Sequence, residues 1–188
     1  MNALDDAVLR ARLPAAPVDW TPTSLRLAAV LVPWFARGGE DFVLFTVRRA
    51  DLRQHAGQIS FPGGMRTGDE GPVACALRES AEEVGMPVDQ VTVLGGLPPR
   101  VSSSGILVHV AVARIPDPAL LRIDPNEVER LLAIPWALLR DGARWRSLPP
   151  PHGGAGPISP HFSFGGDLVW GLTGRLCQDL ALALPRAD

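Results

Sequence analysis

The feature that most constrains this 188-residue chain is a short segment crowded with carboxylates, Arg78-Glu79-Ser80-Ala81-Glu82-Glu83-Val84-Gly85. Gly71-Pro72 stands upstream of it. Proline is favoured at the first position of a helix and glycine just beyond the last, so the pattern predicts a helix over 72–84. At about 100° per residue, one face of that helix carries Glu79, Glu82 and Glu83. The opposite face can pack against a sheet and carries Val73, Leu77, Ser80 and Val84.

This crowding of like charge allows two interpretations. Neighbouring carboxylates on a helix repel one another by roughly a few tenths of a kcal/mol per pair even when exposed, and a solvated acidic face is a common outcome. The other outcome is a bound divalent cation, and all-oxygen ligands suit Mg²⁺ or Mn²⁺. The surrounding residues favour the metal site, because the helix is framed by a Gly63-Gly64 turn, Glu70, Arg78 and Gly85.

Residues 64–86 resemble the Nudix box. That signature is a glycine, five residues, a glutamate, seven residues and then Arg-Glu-U-x-Glu-Glu-x-Gly-U, where U is aliphatic. Every fixed position is matched, by Gly64, Glu70, Arg78, Glu79, Glu82, Glu83 and Gly85. The departure is Ser80, a small polar residue at an aliphatic position. The resemblance implies an α/β fold, the Nudix α/β/α sandwich, with a mixed β-sheet between helices.

The resemblance also implies roles for the box residues. Glu79 and Glu83 would be the leading metal ligands, with Glu82 a third ligand or the holder of a water on the metal. Arg78 and Glu70 would orient the ligand carboxylates. A divalent ion, Mg²⁺ or Mn²⁺, would neutralise phosphate oxygens and activate a water for in-line attack at phosphorus. The catalytic residues expected on this basis are Glu82, Glu83, Arg78 and Glu127.

Glu127 enters that set because Nudix enzymes often bring a further acidic residue to the metal or water from outside the box. A second explanation of Glu127 is available. A predicted helix begins near it, and a glutamate at a helix start is favoured by the helix dipole.

A second motif lies upstream, in residues 44–64. It resembles the signature of the coenzyme A diphosphatase branch of the Nudix family: Leu-Leu-Thr-x-Arg-Ser, then Leu-Arg, three residues, Gly, three residues and Phe-Pro-Gly-Gly. Phe45 and Arg49 depart from it. The resemblance implies that substrate is bound by Arg48, Arg53, Gly57, Phe61, Gly63 and Gly64.

Several residues of this segment also have simpler interpretations. The arginines could form a solvated basic turn, above all at Arg49, and Phe61 could anchor the core. Beside a metal–phosphate site, however, guanidinium groups bind phosphate bidentately, and coenzyme A carries a 3′-phosphate besides its pyrophosphate. We expect Arg53 to contact that 3′-phosphate, and Trp170 to pack rather than to stack on a ligand.

The rest of the chain predicts a mixed α/β domain. Residues 1–24 are expected to form an N-terminal arm with a short helix over 5–13, and residues 25–188 a Nudix hydrolase domain. Strands are predicted over 27–34, 42–48, 91–97 and 106–115, with a pair of short strands in 161–170. The first two are predicted to pair across a Gly38-Gly39 turn. Further helices are predicted over 126–133, 136–139 and 171–184. Residues 49–64 and 149–160 are predicted to be loops.

The composition of the chain excludes several classes of protein. A net charge of −2 lacks the basic excess of nucleic-acid and membrane-surface proteins. An acidic N-terminus without an apolar segment after it does not resemble a signal peptide, and the longest apolar stretch, 27–36, is too short to span a bilayer. Cys75 and Cys177 lack CxxC spacing and are interpreted as small helix residues. We expect a cytoplasmic protein that acts on a small-molecule substrate, with no nucleic-acid or membrane partner.

The leading hypothesis is hydrolysis of coenzyme A, or of its acyl or oxidised derivatives, to 4′-phosphopantetheine or its derivative and adenosine 3′,5′-bisphosphate. One alternative is a Nudix hydrolase for another nucleoside diphosphate compound, such as NADH or ADP-ribose. The arginine-rich loop before Phe61-Pro62-Gly63-Gly64 argues against it. Another alternative is a Nudix domain that binds nucleotides without hydrolysing them, against which the intact box glutamates argue.

Overall fold

A computed structural model describes residues 3–52, 55–153 and 156–184 of the chain. Its helices are α1 (Asp6–Arg12), α2 (Pro72–Val84), α3 (Trp136–Leu139) and α4 (Gly171–Ala183). Its strands are β1 (Arg26–Arg37), β2 (Glu40–Arg48), β3 (Ile59–Ser60), β4 (Gly63–Met65), β5 (Thr92–Val101), β6 (Ile106–Arg114), β7 (Val128–Pro135), β8 (Arg146–Leu148), β9 (Ser159–Phe164) and β10 (Asp167–Val169).

Across these described ranges, seven strands form one mixed sheet. Its main path runs β3-β2-β1-β6-β5, while β4 pairs with β1 and β7 pairs with β2. The central pair β1 and β6 is parallel, and the other pairs are antiparallel. A smaller three-stranded sheet has the order β10-β9-β8. The predicted mixed sheet is therefore confirmed.

Two helices cover the two faces of the large sheet. Adjacent residues of a strand point to opposite faces, and in β1 the fully buried Leu31 and Val32 belong to two different core clusters. The Leu31 cluster contains Cys75, Ala76 and Val84 of α2. The Val32 cluster contains Leu176, Cys177 and Leu180 of α4. This arrangement is the predicted α/β/α sandwich, and both cysteines are buried free thiols on its helices.

Short-range sequence patterns predicted the positions of most helices and strands correctly. Gly38 and Gly39 join β1 to β2 with φ of 60° and 79°, the left-handed values that a tight two-residue hairpin turn requires. Helix α2 begins at Pro72 and ends before Gly85, whose φ of 63° caps it. The predicted closing helix, the short helix after 135 and the strand pair within 161–170 are also present.

The helix predicted over 126–133 is wrong, because this segment forms most of β7. Val128, Leu132 and Ile134 are buried while Glu129 and Arg130 are exposed, and the strand pairs antiparallel with β2. Just before this strand, the backbone N–H and the side chain of Asn126 donate to Asp124. Pairing with a neighbouring strand has overridden the local helical signal. The loop predicted over 49–64 likewise contains two short strands, β3 and part of β4.

The N-terminal residues pack against the edge of the sheet formed by β5. Leu9 is fully buried in the core and Leu13 nearly so. The N–H of Gly96 in β5 donates to the carbonyl of Pro14 at 2.9 Å, so the arm protects backbone groups of an edge strand. Among the helices of the described residues, none combines the length and the apolar character that a membrane crossing requires.

Candidate active site

The three glutamates of α2 lie in graded environments rather than on one evenly exposed face. The side chain of Glu82 is 60% exposed, that of Glu79 is 19% exposed and that of Glu83 is 8% exposed. The gradient arises because α2 packs against β1 and β4, and successive residues of a helix point about 100° apart, so Glu83 faces the strands while Glu82 faces away from them. The three carboxyl groups therefore differ in solvation and in hydrogen-bonding partners.

Arg78 lies at the centre of three carboxylates. Its Nε and Nη2 donate to the two oxygens of Glu70 at 2.9 and 2.8 Å, a bidentate pair. Its Nη1 donates to Glu79 at 2.8 Å and to Glu82 at 3.0 Å. The arginine therefore offsets much of the like-charge repulsion that the sequence pattern implied. Hydrogen bonds from Arg78, with a weaker one from the Thr67 N–H, lower the pKa of Glu70 to about 2.

Glu83 points inward, toward the segment before the box helix. Its Oε2 accepts a hydrogen bond from the Gly63 N–H at 3.1 Å, and its Oε1 lies 3.7 Å from Nη1 of Arg48. Burial raises the pKa of Glu83 to about 7, although the Gly63 N–H and Arg48 act in the opposite direction. The carboxyl group of Glu83 is thus a desolvated oxygen pair next to the first residue of β4.

Gly63 and Gly64 permit a close approach that no other residue allows. A Cβ on Gly64 would lie 2.3 Å from Oε2 of Glu79, inside the space that the carboxylate occupies. Gly63 has a φ of 150°, and a Cβ there would lie 2.3 Å from the carbonyl oxygen of Ala29. The missing side chain of Gly64 makes room for Glu79, and that of Gly63 allows its backbone to pack against β1 while its N–H binds Glu83.

The carboxylate oxygens of the box helix fit a divalent cation that is held by a small number of protein oxygens. In the described parts of the chain, no three acidic, histidine or cysteine groups gather into a compact metal cluster. Glu82 faces solvent and Arg78, which leaves Glu79 and Glu83 beside Gly63 and Gly64 at the start of β4. Mg²⁺ is typically held by one or two carboxylates together with substrate phosphates and waters, so two such groups suffice for it.

Arg48 connects the upstream segment to the box helix. Its Nη1 lies 3.7 Å from Glu83 and 3.9 Å from Oε2 of Glu127. Its Nε is buried and, among the described residues, has no hydrogen-bond partner. The explanation of Glu127 as a helix-start residue is wrong, since no helix begins there. The structure instead brings Glu127 close enough for its charge to contribute to the raised pKa of Glu83.

The remaining residues of the upstream segment, 44–64, lie in different environments. Arg49 donates to Asp51 at 2.7 Å and to the Pro125 carbonyl at 2.7 Å. Phe61 is 3% exposed and stacks on Phe45 in the core, with ring centroids 4.8 Å apart. Gly57 adopts a φ of 66° in a turn that precedes β3. Arg53 lies outside the described residues.

Trp20 is a site neighbour that sequence reasoning missed. Its Nε1 donates to the carbonyl oxygen of Glu70 at 2.7 Å. The rings of Trp20 and His109 form a T-shaped pair with their centroids 5.1 Å apart. The guanidinium of Arg66 lies 5.7 Å from the centroid of the indole ring. A tryptophan in a proline-rich arm carried no signal for this contact, since Glu70 is fifty residues further along the chain.

Comparison with protein families and sequences gives a consistent match. A family model described as the NUDIX domain matches residues 25–149. The chain is 35% identical over 182 residues to a Shigella flexneri (serotype 5b) protein named "Uncharacterized Nudix hydrolase NudL", covering 96% of this chain and 94% of that protein. It is also 35% identical over 184 residues to the protein of that name from Photorhabdus laumondii, covering 96% and 97%.

Solved structures resemble this one in fold. A Nudix hydrolase from M. smegmatis, RenU, matches with a TM-score of 0.52 at 24% identity, over 62% of this chain and 74% of that one. A MutT/nudix family protein from Enterococcus faecalis matches with a TM-score of 0.57 at 16% identity, over 85% of this chain and 62% of that one. These likenesses establish a shared mixed α/β architecture.

Proposed function

Because this chain belongs to the Nudix family and hydrolyses pyrophosphate bonds of nucleoside diphosphate-linked compounds, we propose that its substrate is coenzyme A or an acyl or oxidised derivative of it. Hydrolysis gives 4′-phosphopantetheine, or the matching derivative, and adenosine 3′,5′-bisphosphate. The observation that carries the proposal is the 3.7 Å approach of Arg48 to Glu83. It joins the segment that resembles the coenzyme A diphosphatase signature to the box helix.

Glu79 and Glu83 are the residues that would hold the divalent cation, Mg²⁺ or Mn²⁺. Both carboxylates lie against the backbone of Gly63 and Gly64 in β4, and Arg78 fixes Glu79 while the Gly63 N–H fixes Glu83. When bound, the ion would neutralise phosphate oxygens and lower the pKa of a water. Glu82, bound to Arg78 on the exposed side of the helix, would hold a water at the rim of the site.

Arg48 would bind a phosphate oxygen of the substrate. In the described structure its guanidinium makes two long ion pairs, at 3.7 and 3.9 Å, and its buried Nε lacks an acceptor. A guanidinium group with unused donors next to two carboxylates is suited to a ligand that brings both phosphate oxygens and a metal ion. Glu127, 3.9 Å from the same Nη1 atom of Arg48, would add a negative charge from outside the box.

A competition between substrates tests the proposal. The purified protein is given coenzyme A, 3′-dephospho-coenzyme A, NADH and ADP-ribose with Mg²⁺, and products are separated by chromatography. We expect the highest kcat/KM for coenzyme A, with phosphopantetheine among the products and no turnover after chelation of the metal. A higher kcat/KM for NADH or ADP-ribose would overturn the substrate assignment. Binding without turnover of any compound would instead favour a nucleotide-binding domain.

A further inference from the structure

A cleft separate from the box glutamates lies beside β3. Its volume is about 650 Å³. Its walls come from the segment before β3, the turn between β5 and β6, the loop after β8 and the start of α4. Small-molecule sites have volumes of roughly 300–1,000 Å³. The described lining residues include neither Arg48 nor a glutamate of the box.

The walls of this cleft are largely uncharged. Ile59, Leu168, Trp170 and Leu172 line it together with prolines of the loop after β8. Among the lining residues that the structure describes, the charged ones are Asp167 and Arg175. Asp167 is paired with Arg130, and Arg175 donates to the Ile158 carbonyl at 2.8 Å. Since burial of a charge without a partner is costly, such walls favour an uncharged ligand.

The cleft lies next to the strand that carries Arg48, because β3, which lines the cleft, pairs with β2. Gln58, which lines the cleft, accepts a hydrogen bond from the backbone N–H of Arg48 at 3.0 Å. Ile59 pairs with Val47, the neighbour of Arg48 in β2. The chain then continues from β3 to Gly63, whose N–H contacts Glu83. The backbone of Arg48 is therefore about one strand spacing, roughly 5 Å, from a strand that lines the cleft.

Hydrogen bonds hold the cleft walls in place. Thr173 of α4 donates from its hydroxyl to the Ile59 carbonyl at 3.1 Å. The N–H of Gly171 donates to the hydroxyl of Ser159 at 3.2 Å. These bonds fix the first turn of α4 against β3 and β9, and a preformed site reduces the ordering cost of binding.

We infer that this cleft binds the pantetheine arm of the substrate and any acyl group on it, an inference that rests on the proposed function. The two halves of coenzyme A differ in charge beyond the pyrophosphate. The adenosine half carries the 3′-phosphate, whereas the pantetheine half is an uncharged chain of methylenes and amides. The apolar walls and the serines at positions 102 and 103 match the uncharged half.

Filling the cleft tests the inference. Leu172→Trp places a larger side chain in the cleft, and Leu182→Trp makes the same change on the same helix at a side chain that is 86% exposed. We expect Leu172→Trp to raise the KM for coenzyme A at least about tenfold, the lower end of what one misfitting group in an apolar pocket causes. Its kcat and the kinetics of Leu182→Trp should stay close to wild type. Calorimetry should show weaker binding of 4′-phosphopantetheine and unchanged binding of adenosine 3′,5′-bisphosphate.

A second variant, Ser103→Trp, fills the cleft from the exposed β5–β6 turn if Leu172→Trp fails to fold. An unchanged KM in the folded cleft variants overturns the inference and leaves coenzyme A hydrolysis by the wild type standing. Weakened binding of adenosine 3′,5′-bisphosphate alone would also overturn it, since the cleft would then take the nucleotide half. No cleavage of coenzyme A by the wild type overturns the proposed function, and calorimetry with 4′-phosphopantetheine still tests the cleft.

Discussion

Trp20 Nε1 donates a 2.7 Å hydrogen bond to the backbone carbonyl of Glu70. Glu70 in turn binds Arg78 through both carboxylate oxygens, and Arg78 holds Glu79 and Glu82. Trp20 precedes residues 25–149, which match the NUDIX domain. A residue that precedes the matched range therefore supports the loop on which the geometry of the box arginine depends.

Trp20→Phe should loosen this support while it preserves an aromatic ring between His109 and Arg66. Loss of one hydrogen bond costs about 1 kcal/mol of unfolding free energy, and the freed Glu70 loop should raise the Mg²⁺ concentration needed for half-maximal activity several-fold. Calorimetry and a Mg²⁺ titration measure the two effects. The matched control is Trp145→Phe, which removes an indole hydrogen bond to the Leu139 carbonyl. An equal Mg²⁺ requirement in both variants would contradict the prediction.

Glu83→Gln should abolish most of the activity and leave the fold intact. The amide keeps the shape of the side chain and can still accept from the Gly63 N–H, but it removes the anionic ligand. We expect kcat to fall by at least about two orders of magnitude at saturating Mg²⁺. Glu40→Gln, in the exposed β1–β2 hairpin, is the control. A Glu83→Gln enzyme with more than about a tenth of wild-type kcat would exclude Glu83 as a metal ligand.

Glu70→Gln should change the dependence of stability on pH. Arg78 lowers the pKa of Glu70 from 4.5 to about 2, so ionised Glu70 stabilises the folded state. That stabilisation is complete above the unfolded pKa of about 4.5 and is lost as pH falls toward about 2. The difference in Tm between wild type and Glu70→Gln, measured with a chelator present, should be largest near neutral pH and shrink in that window. A difference that stays constant down to about pH 3 would contradict the linkage.

Gly64→Ala should impair catalysis more than stability. The new Cβ would lie 2.3 Å from Oε2 of Glu79 and force the carboxylate to move. A displacement of about 1 Å in a catalytic group can cost roughly a hundredfold in rate, which is the loss of kcat that we expect. Gly142→Ala is the control, since no heavy atom lies within 4 Å of a Cβ there. Wild-type kcat in a folded Gly64→Ala protein would show that the position of Glu79 is not critical.

Glu127→Gln tests whether an acidic group from outside the box takes part. We expect kcat to fall at least about tenfold, at the low end for a group that assists proton transfer, with little change in KM. Glu129→Gln is the control, because Glu129 is exposed two residues further along, in β7. Equal kcat values for the two variants would remove Glu127 from the catalytic set.

Much of the fold followed from signals that act within a few residues. Pro72 and Gly85 bounded the box helix, and Gly38-Gly39 located the first hairpin, because proline and glycine restrict or extend backbone dihedrals wherever they occur. One wrong prediction, a helix over 126–133, fell on a segment whose strand form depends on β2, a strand distant in sequence. Local propensity carries no information about such a partner.

For the site, the sequence by itself determined which carboxylates share the box helix and how they are spaced. Only the tertiary structure decided that Glu83 is buried against Gly63, that Glu82 remains in solvent with Arg78, and that Trp20 lies under Glu70. The physical reason is that helical periodicity is set by covalent geometry over a few residues. Burial and the resulting pKa of a carboxyl group depend instead on which distant backbone packs against it.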